Sequence, residues 1–172
     1  MPRRALVLVL LAACGNPAPG APPPEHESAD APTAPAAPAA GPAAPPRIVK
    51  APRRGSAAEA VVAEQAGAPD DLLVVYVGAA WCEPCVAFHA ALDAGALDAD
   101  FPGVRFLEFD LDRDRERLAA DGYSSQYVPL FAFPGADGRA SGDSLQGGVK
   151  GPGAAANIVA RLKPLIDARR RP

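Results

Sequence analysis

The sequence predicts an α/β domain: a central mixed β-sheet flanked by helices, preceded by a disordered Pro/Ala-rich tether. Three observations carry that expectation. From residue 56 onward, apolar runs of strand length alternate with segments of helical period. One of those runs, Leu72 to Val77, is almost unbroken, as suits a strand covered on both faces. The composition also changes near Gly55. Of 21 prolines, 12 lie between residues 15 and 55, so a core can come only from the remaining part, about 115 residues, an ordinary size for one domain.

The chain opens with Arg3 and Arg4, an apolar run Ala5 to Ala13, and Cys14. Nine apolar residues are too few for a transmembrane helix, which needs about 20, but suit the apolar region of an export signal. Leu11-Ala12-Ala13-Cys14 resembles the lipobox of bacterial lipoproteins. The resemblance implies that residues 1–13 are a signal peptide and that Cys14 becomes the lipidated first residue of the mature chain. Cys14 would then be unavailable for redox work. On the residues alone, an ordinary signal peptide or a short buried helix with a chance cysteine is the alternative. Residues 14–55 lack any apolar period, so they cannot offset the entropy of ordering and are expected to form the tether. Extended at about 3.1 Å per residue, it would reach on the order of 100 Å. His26 has no metal-ligand neighbours in this stretch and reads as solvated.

Residues 56–172 are the predicted folded domain. Ser56 to Gly67 reads as a short helix, with Ser56 as N-cap, Glu59 at capping-box spacing and Gly67 as the stop. Asp70-Asp71 lead into the strand Leu72 to Val77, and a helix is expected from the second cysteine region to about Leu92. Val104 to Leu111 reads as the next strand and Arg113 to Ala120 as a helix stopped at Asp121-Gly122. Phe131 to Phe133, a turn at Asp137-Gly138 and a polar return suggest an antiparallel hairpin. The last helix should start near Pro152 and run to about Ala168, with Ile158, Val159, Leu162, Leu165 and Ile166 at helical spacing and Pro164 as a possible kink. Arg169 to Arg171 is a basic end that favours the helix dipole.

The stretch that carries chemistry is Trp81-Cys82-Glu83-Pro84-Cys85, where an apolar strand hands over to a helix. The first helical turn leaves backbone N–H groups unsatisfied and carries roughly half a positive charge, so a thiol there is drawn towards its thiolate. A cysteine three residues on lies one turn along the helix, close enough to attack a mixed disulfide formed by the first. Glu83 has two readings: a charge that opposes the thiolate of Cys82, or a solvated helix-N-terminal acid. His89, four residues after Cys85, reads by default as a half-buried helix histidine. It could also tune the thiols, or join them in a Cys82-Cys85-His89 metal site, although structural zinc normally takes four ligands.

With the tryptophan, the proline and the preceding strand, this stretch resembles the active site of the thioredoxin superfamily, over about Glu59 to Ala168. The resemblance implies a thioredoxin-like fold with Cys82 as a solvent-reachable attacking thiol and Cys85 as the resolving one. Trp81 and Pro84 would shape the rim and helix entry. It further implies that Pro129 follows a cis bond and packs against the cysteines, with Val128 offering backbone groups to an extended substrate; on the residues alone, a trans proline at a strand start would be the ordinary reading. Two positions depart from the family pattern. Tyr76 stands where many members have a buried Asp that takes the proton of the resolving thiol, and Glu108 where many have a nearby Lys.

The expected function is that of a membrane-tethered thiol–disulfide oxidoreductase of the bacterial cell envelope, facing the periplasm or exterior and reducing or exchanging disulfides in exported proteins. Its expected partners are those exported proteins, a membrane dithiol electron donor, and the membrane itself through the lipid anchor. No cofactor or metal is expected. A formal charge of −3, with no basic stripe and no interleaved aromatics, excludes a nucleic-acid footprint. The alternatives are a non-catalytic scaffold lipoprotein with a static Cys82–Cys85 disulfide, and a copper or zinc carrier using Cys82, Cys85 and His89.

Overall fold

The computed structural model describes residues 43–170. The expected signal peptide, the expected lipidation site at Cys14 and the tether up to residue 42 lie outside the described residues.

The apolar run forms β2 (Leu72–Gly78), and it is central for the reason its sequence suggests. Val74 and Tyr76 point into one apolar cluster, while Leu73, Val75 and Val77 point into another on the opposite face. β3 (Val104–Asp110) pairs parallel with β2. β4 (Leu130–Pro134) pairs antiparallel on the other side of β2, and β5 (Ala140–Gln146) antiparallel on β4. The hairpin turns through Asp137-Gly138 as expected, with Gly138 at φ +77°.

One strand was assigned elsewhere by sequence. Arg47–Lys50, placed in the tether by the sequence reading, forms β1 and pairs parallel with β3, giving a five-stranded sheet of order β1-β3-β2-β4-β5. Two β-branched residues between prolines carry no periodicity of their own. Strand geometry there comes from a partner 58 residues away.

Four helices cover the sheet. α1 (Ala57–Gly67) begins with the expected capping box: Ser56 Oγ accepts from the Glu59 N–H at 3.0 Å, and the Glu59 carboxylate accepts from the Ser56 N–H at 2.9 Å. α2 (Glu83–Asp93) follows β2. α3 (Leu111–Ala120) starts two residues before the expected Arg113, because Asp110 caps it by accepting from the N–H groups of Asp112 and Arg113. α4 (Ala154–Arg170) continues through Pro164. Phe88 of α2 and Ile158, Leu162 and Ile166 of α4 share one cluster with Phe106 and Phe131 of the sheet. Val61 of α1 and Leu118 of α3 share the other with Leu107, Phe109 and Leu130. A mixed sheet layered between helices in this order is the thioredoxin-like fold.

The aromatic packing fixes where α2 sits. The Phe88 ring lies 4.9 Å from Phe131 and 5.2 Å from Phe106, edge-on to both, so the helix is pinned over β2, β3 and β4 together.

Candidate active site

Beyond Gly78 the chain leaves the sheet and enters α2 with Cys82 as N-cap. Pro84 occupies the first turn, where a missing N–H costs no helical bond. Cys82 and Cys85 are joined by a disulfide, with Cα atoms 5.2 Å apart. Cys82 Sγ also accepts from the Cys85 N–H at 3.2 Å. In the reduced pair that same N–H, with the helix N-terminus behind it, would favour a thiolate on Cys82. The site therefore holds a dithiol–disulfide couple suited to exchange.

The structure places the other expected residues as follows. Trp81 is 65% exposed, and its indole N–H donates to Asp112 Oδ2 at 2.8 Å, fixing the ring over the start of α3. Pro84 is buried against Gly148, where an added Cβ would come within 3.1 Å of the proline ring. The Val128–Pro129 bond is cis, just ahead of β4, and Val128 packs on the cluster that contains both cysteines. The Pro129 carbonyl accepts from the Gly147 N–H at 2.8 Å. Glu83 answers to neither of its two readings alone, because its carboxylate accepts from the Gly151 N–H at 2.7 Å and ties α2 to the loop before α4.

Cys82 departs from the expectation of a solvent-reachable sulfur. In the disulfide form the residue is 3% exposed, because it packs with Cys85 and Val128 in the apolar cluster beneath the sheet-facing side of α2. The exposed part of the motif is Trp81, and Tyr127, two residues before Pro129, is 66% exposed.

On the Cys85 side lies a cavity of about 290 Å³ lined by Lys50, Tyr76, Cys85, His89, Glu108 and Asp110 among others. Strand register builds its floor: Lys50 stands opposite Glu108, and Glu108 opposite Tyr76. His89 Nε2 lies 3.1 Å from Glu108 Oε1, and Lys50 forms an ion pair with the same carboxylate. Burial alone would push the Glu108 pKa up, but the hydrogen bonds from His89 and Lys50 outweigh it and hold the carboxyl below its ordinary range. Burial, and then the Glu108 charge, push the Tyr76 hydroxyl far above its ordinary pKa. That hydroxyl has no hydrogen-bond partner among the described residues.

With the cysteines bonded to each other and His89 facing Glu108, no cluster of three metal-ligating side chains is assembled among the described residues. Sequence reading missed Lys50, Asp112 and Tyr127. Lys50 was hidden by the proline-rich composition around β1. Asp112 gave no signal beyond an acidic helix start. Tyr127, an aromatic in a polar Ser-Ser-Gln-Tyr run two residues before Pro129, was legible as an exposed aromatic.

No family model matches the sequence, and no curated protein matches it. Among solved structures the chain is similar to a thioredoxin from Trichomonas vaginalis, at 22% identity over 72% of this chain and 97% of that chain, with a TM-score of 0.47. It is also similar to a mutant thioredoxin from Halobacterium salinarum, at 20% identity over 77% and 98%, TM-score 0.47. A thioredoxin from Trypanosoma brucei brucei is 23% identical over 71% and 93%, TM-score 0.40. The topology and the site described above define a thioredoxin-like domain with a Cys-x-x-Cys disulfide at the start of its second helix.

Proposed function

We propose that the protein is a membrane-tethered thiol–disulfide oxidoreductase of the bacterial cell envelope, which reduces or exchanges disulfides in exported proteins. The observation that carries the reading is the Cys82–Cys85 disulfide at the N-terminus of α2, with Val128 packed on the same cluster. Cys82 attacks, Cys85 resolves, Trp81 and Val128 meet the substrate, and the buried Pro84 and Pro129 shape the helix entry and the groove. The lipid on Cys14 holds the domain to a membrane, facing the periplasm or exterior. A membrane dithiol carrier returns the electrons, since an oxidising compartment does not supply them.

The test is the reduction potential of the couple in a glutathione buffer, with trapping of mixed disulfides by Cys85→Ser. Removing the resolving thiol leaves the Cys82 adduct without its escape, so exported proteins should accumulate covalently on the variant and disappear on added reductant. The near-complete burial of Cys82 favours a second reading, a static disulfide on a binding scaffold. A couple that never equilibrates with glutathione, together with an empty trap, would establish the scaffold.

A further inference from the structure

The resolving thiol must lose a proton before it can attack, because the thiolate is the nucleophile in disulfide exchange. Cys85 is 2% exposed, so its proton leaves through the cavity beside it rather than directly into bulk water. The groups facing that cavity come from four elements. β1 supplies Lys50, β2 supplies Tyr76, β3 supplies Glu108 and Asp110, and α2 supplies His89 one turn beyond Cys85 itself.

Chemistry separates them. Lys50 is a cation paired with Glu108 and has no lone pair to offer when protonated. The Tyr76 hydroxyl holds its proton more tightly than an ordinary phenol and is a donor. Asp110 is committed as the N-cap of α3, its Oδ1 accepting from the N–H groups of Asp112 and Arg113. Glu108 has both oxygens engaged, Oε1 by His89 and Oε2 by Lys50. His89 is the neutral base in the cavity and stands one turn from Cys85 on the same helix. Its Nε2 faces Glu108 Oε1 at 3.1 Å, so a proton on Nε2 is donated to the carboxylate and the lone pair of Nδ1 is left to accept.

We propose that His89 is the general base for Cys85 and that Glu108, itself held in place by Lys50, is the residue that positions it. The proposal rests on the redox reading above. The reduced enzyme starts with Cys82 as thiolate and Cys85 as thiol. Cys82 attacks one sulfur of the substrate disulfide; a Cys82–substrate bond forms, the substrate S–S bond breaks, and the first substrate thiolate takes a proton from water. His89 then accepts the Cys85 proton, directly or through one water in the cavity. The Cys85 thiolate attacks Cys82 Sγ, forming the Cys82–Cys85 bond and releasing the second substrate sulfur as a thiolate, which is protonated as His89 returns its proton to solvent. The substrate disulfide gains two electrons and the enzyme dithiol loses two. In the reverse direction the imidazolium protonates Cys85 as it leaves.

The steps separate when the reduced full-length chain carrying Cys14→Ser reacts with the aromatic disulfide dithiobis(nitrobenzoate), since attack by Cys82 then releases one coloured thiolate and attack by Cys85 a second. His89→Gln should leave the first phase unchanged and slow the second about 100-fold near neutral pH, the usual size of a general-base effect. The wild-type second phase should rise with pH and level off once His89 has lost its proton, whereas the variant continues to rise towards ionisation of the thiol itself. Glu108→Gln should slow the same second phase, because an amide no longer fixes the Nε2 proton tautomer of His89 as the carboxylate does. A second phase in His89→Gln with wild-type rate and pH profile overturns the proposal while leaving the redox reading intact. Absence of the first phase in wild type and in Cys85→Ser overturns that reading and the proposal with it. Should the variants fail to fold, the pH dependence of the wild-type second phase decides: a plateau below the ionisation of the thiol is expected, and a rate that keeps rising to that ionisation overturns the proposal.

Discussion

A cysteine pair and a proline announce themselves in a sequence because their chemistry is local, whereas the residues that serve them are brought in by strand register. Cys82, Pro84 and Cys85 could be placed on a helix start from their neighbours alone. That Lys50, Glu108 and Tyr76 lie side by side beneath that helix could not, because no local pattern fixes which residue of one strand meets which of another. Gly138 shows both halves of this at one position. Asp137-Gly138 marks a turn in any sequence, and the observed φ of +77° is the reason glycine suits it. What the sequence does not show is that a Cβ here would lie 2.3 Å from the Ala58 carbonyl oxygen of α1, a backbone atom with nowhere to go. Gly138→Ala should therefore lower stability by more than the backbone term of about 1–2 kcal/mol, read as a fall in the denaturant midpoint without loss of the exchange chemistry at Cys82.

At the scale of elements, the helices with caps and the central strand were legible, and β1 was not. Its contribution is testable because it is short and lies at one end of the described chain. Ile48 packs on one face of the sheet and Val49 on the other, Arg47 pairs with Asp71 at 2.7 Å, and the Ala51 N–H donates to the Glu108 carbonyl at 2.8 Å. A chain beginning at Ser56 loses all of these and bares the edge of β3, whereas one beginning at Ala43 keeps them. The shorter chain should be less stable by about 3 kcal/mol or more, on the scale of one to two buried aliphatic side chains, and more prone to associate through its open edge. Equal urea midpoints for the two would mean that β1 adds nothing to the fold.

For the whole molecule, acid should be the weak side. Burial would raise the Asp114 pKa, but the hydrogen bond from Arg113, the Asp110 N–H and the charge of Arg117 outweigh it and hold the carboxyl below its ordinary range. A depressed folded-state pKa contributes stability that is present above the unfolded-state value and is lost as pH falls through the folded-state one. Urea midpoints should hold at neutral pH and fall from about pH 5 downward. Asp114→Asn should cost about 2 kcal/mol at neutral pH, the size of a charge-assisted hydrogen bond lost from a buried site, and should flatten that acid limb. Arg117 bonds Asp114 and also donates to the carbonyls of Pro52 and Gly55, so this carboxylate helps to fasten the connection between β1 and α1. By itself the sequence determined the alternation of helices and strands, the burial of β2 on both faces and the placement of two cysteines at a helix start, since periodicity, caps and turn residues act over a few positions. Only the tertiary structure decided that Arg47–Lys50 is a strand, that Cys82 is buried in its disulfide form, and that His89, Glu108 and Lys50 converge on the cavity beside Cys85. Those outcomes depend on contacts between residues far apart in the chain, and such contacts leave no trace in the local pattern of either partner.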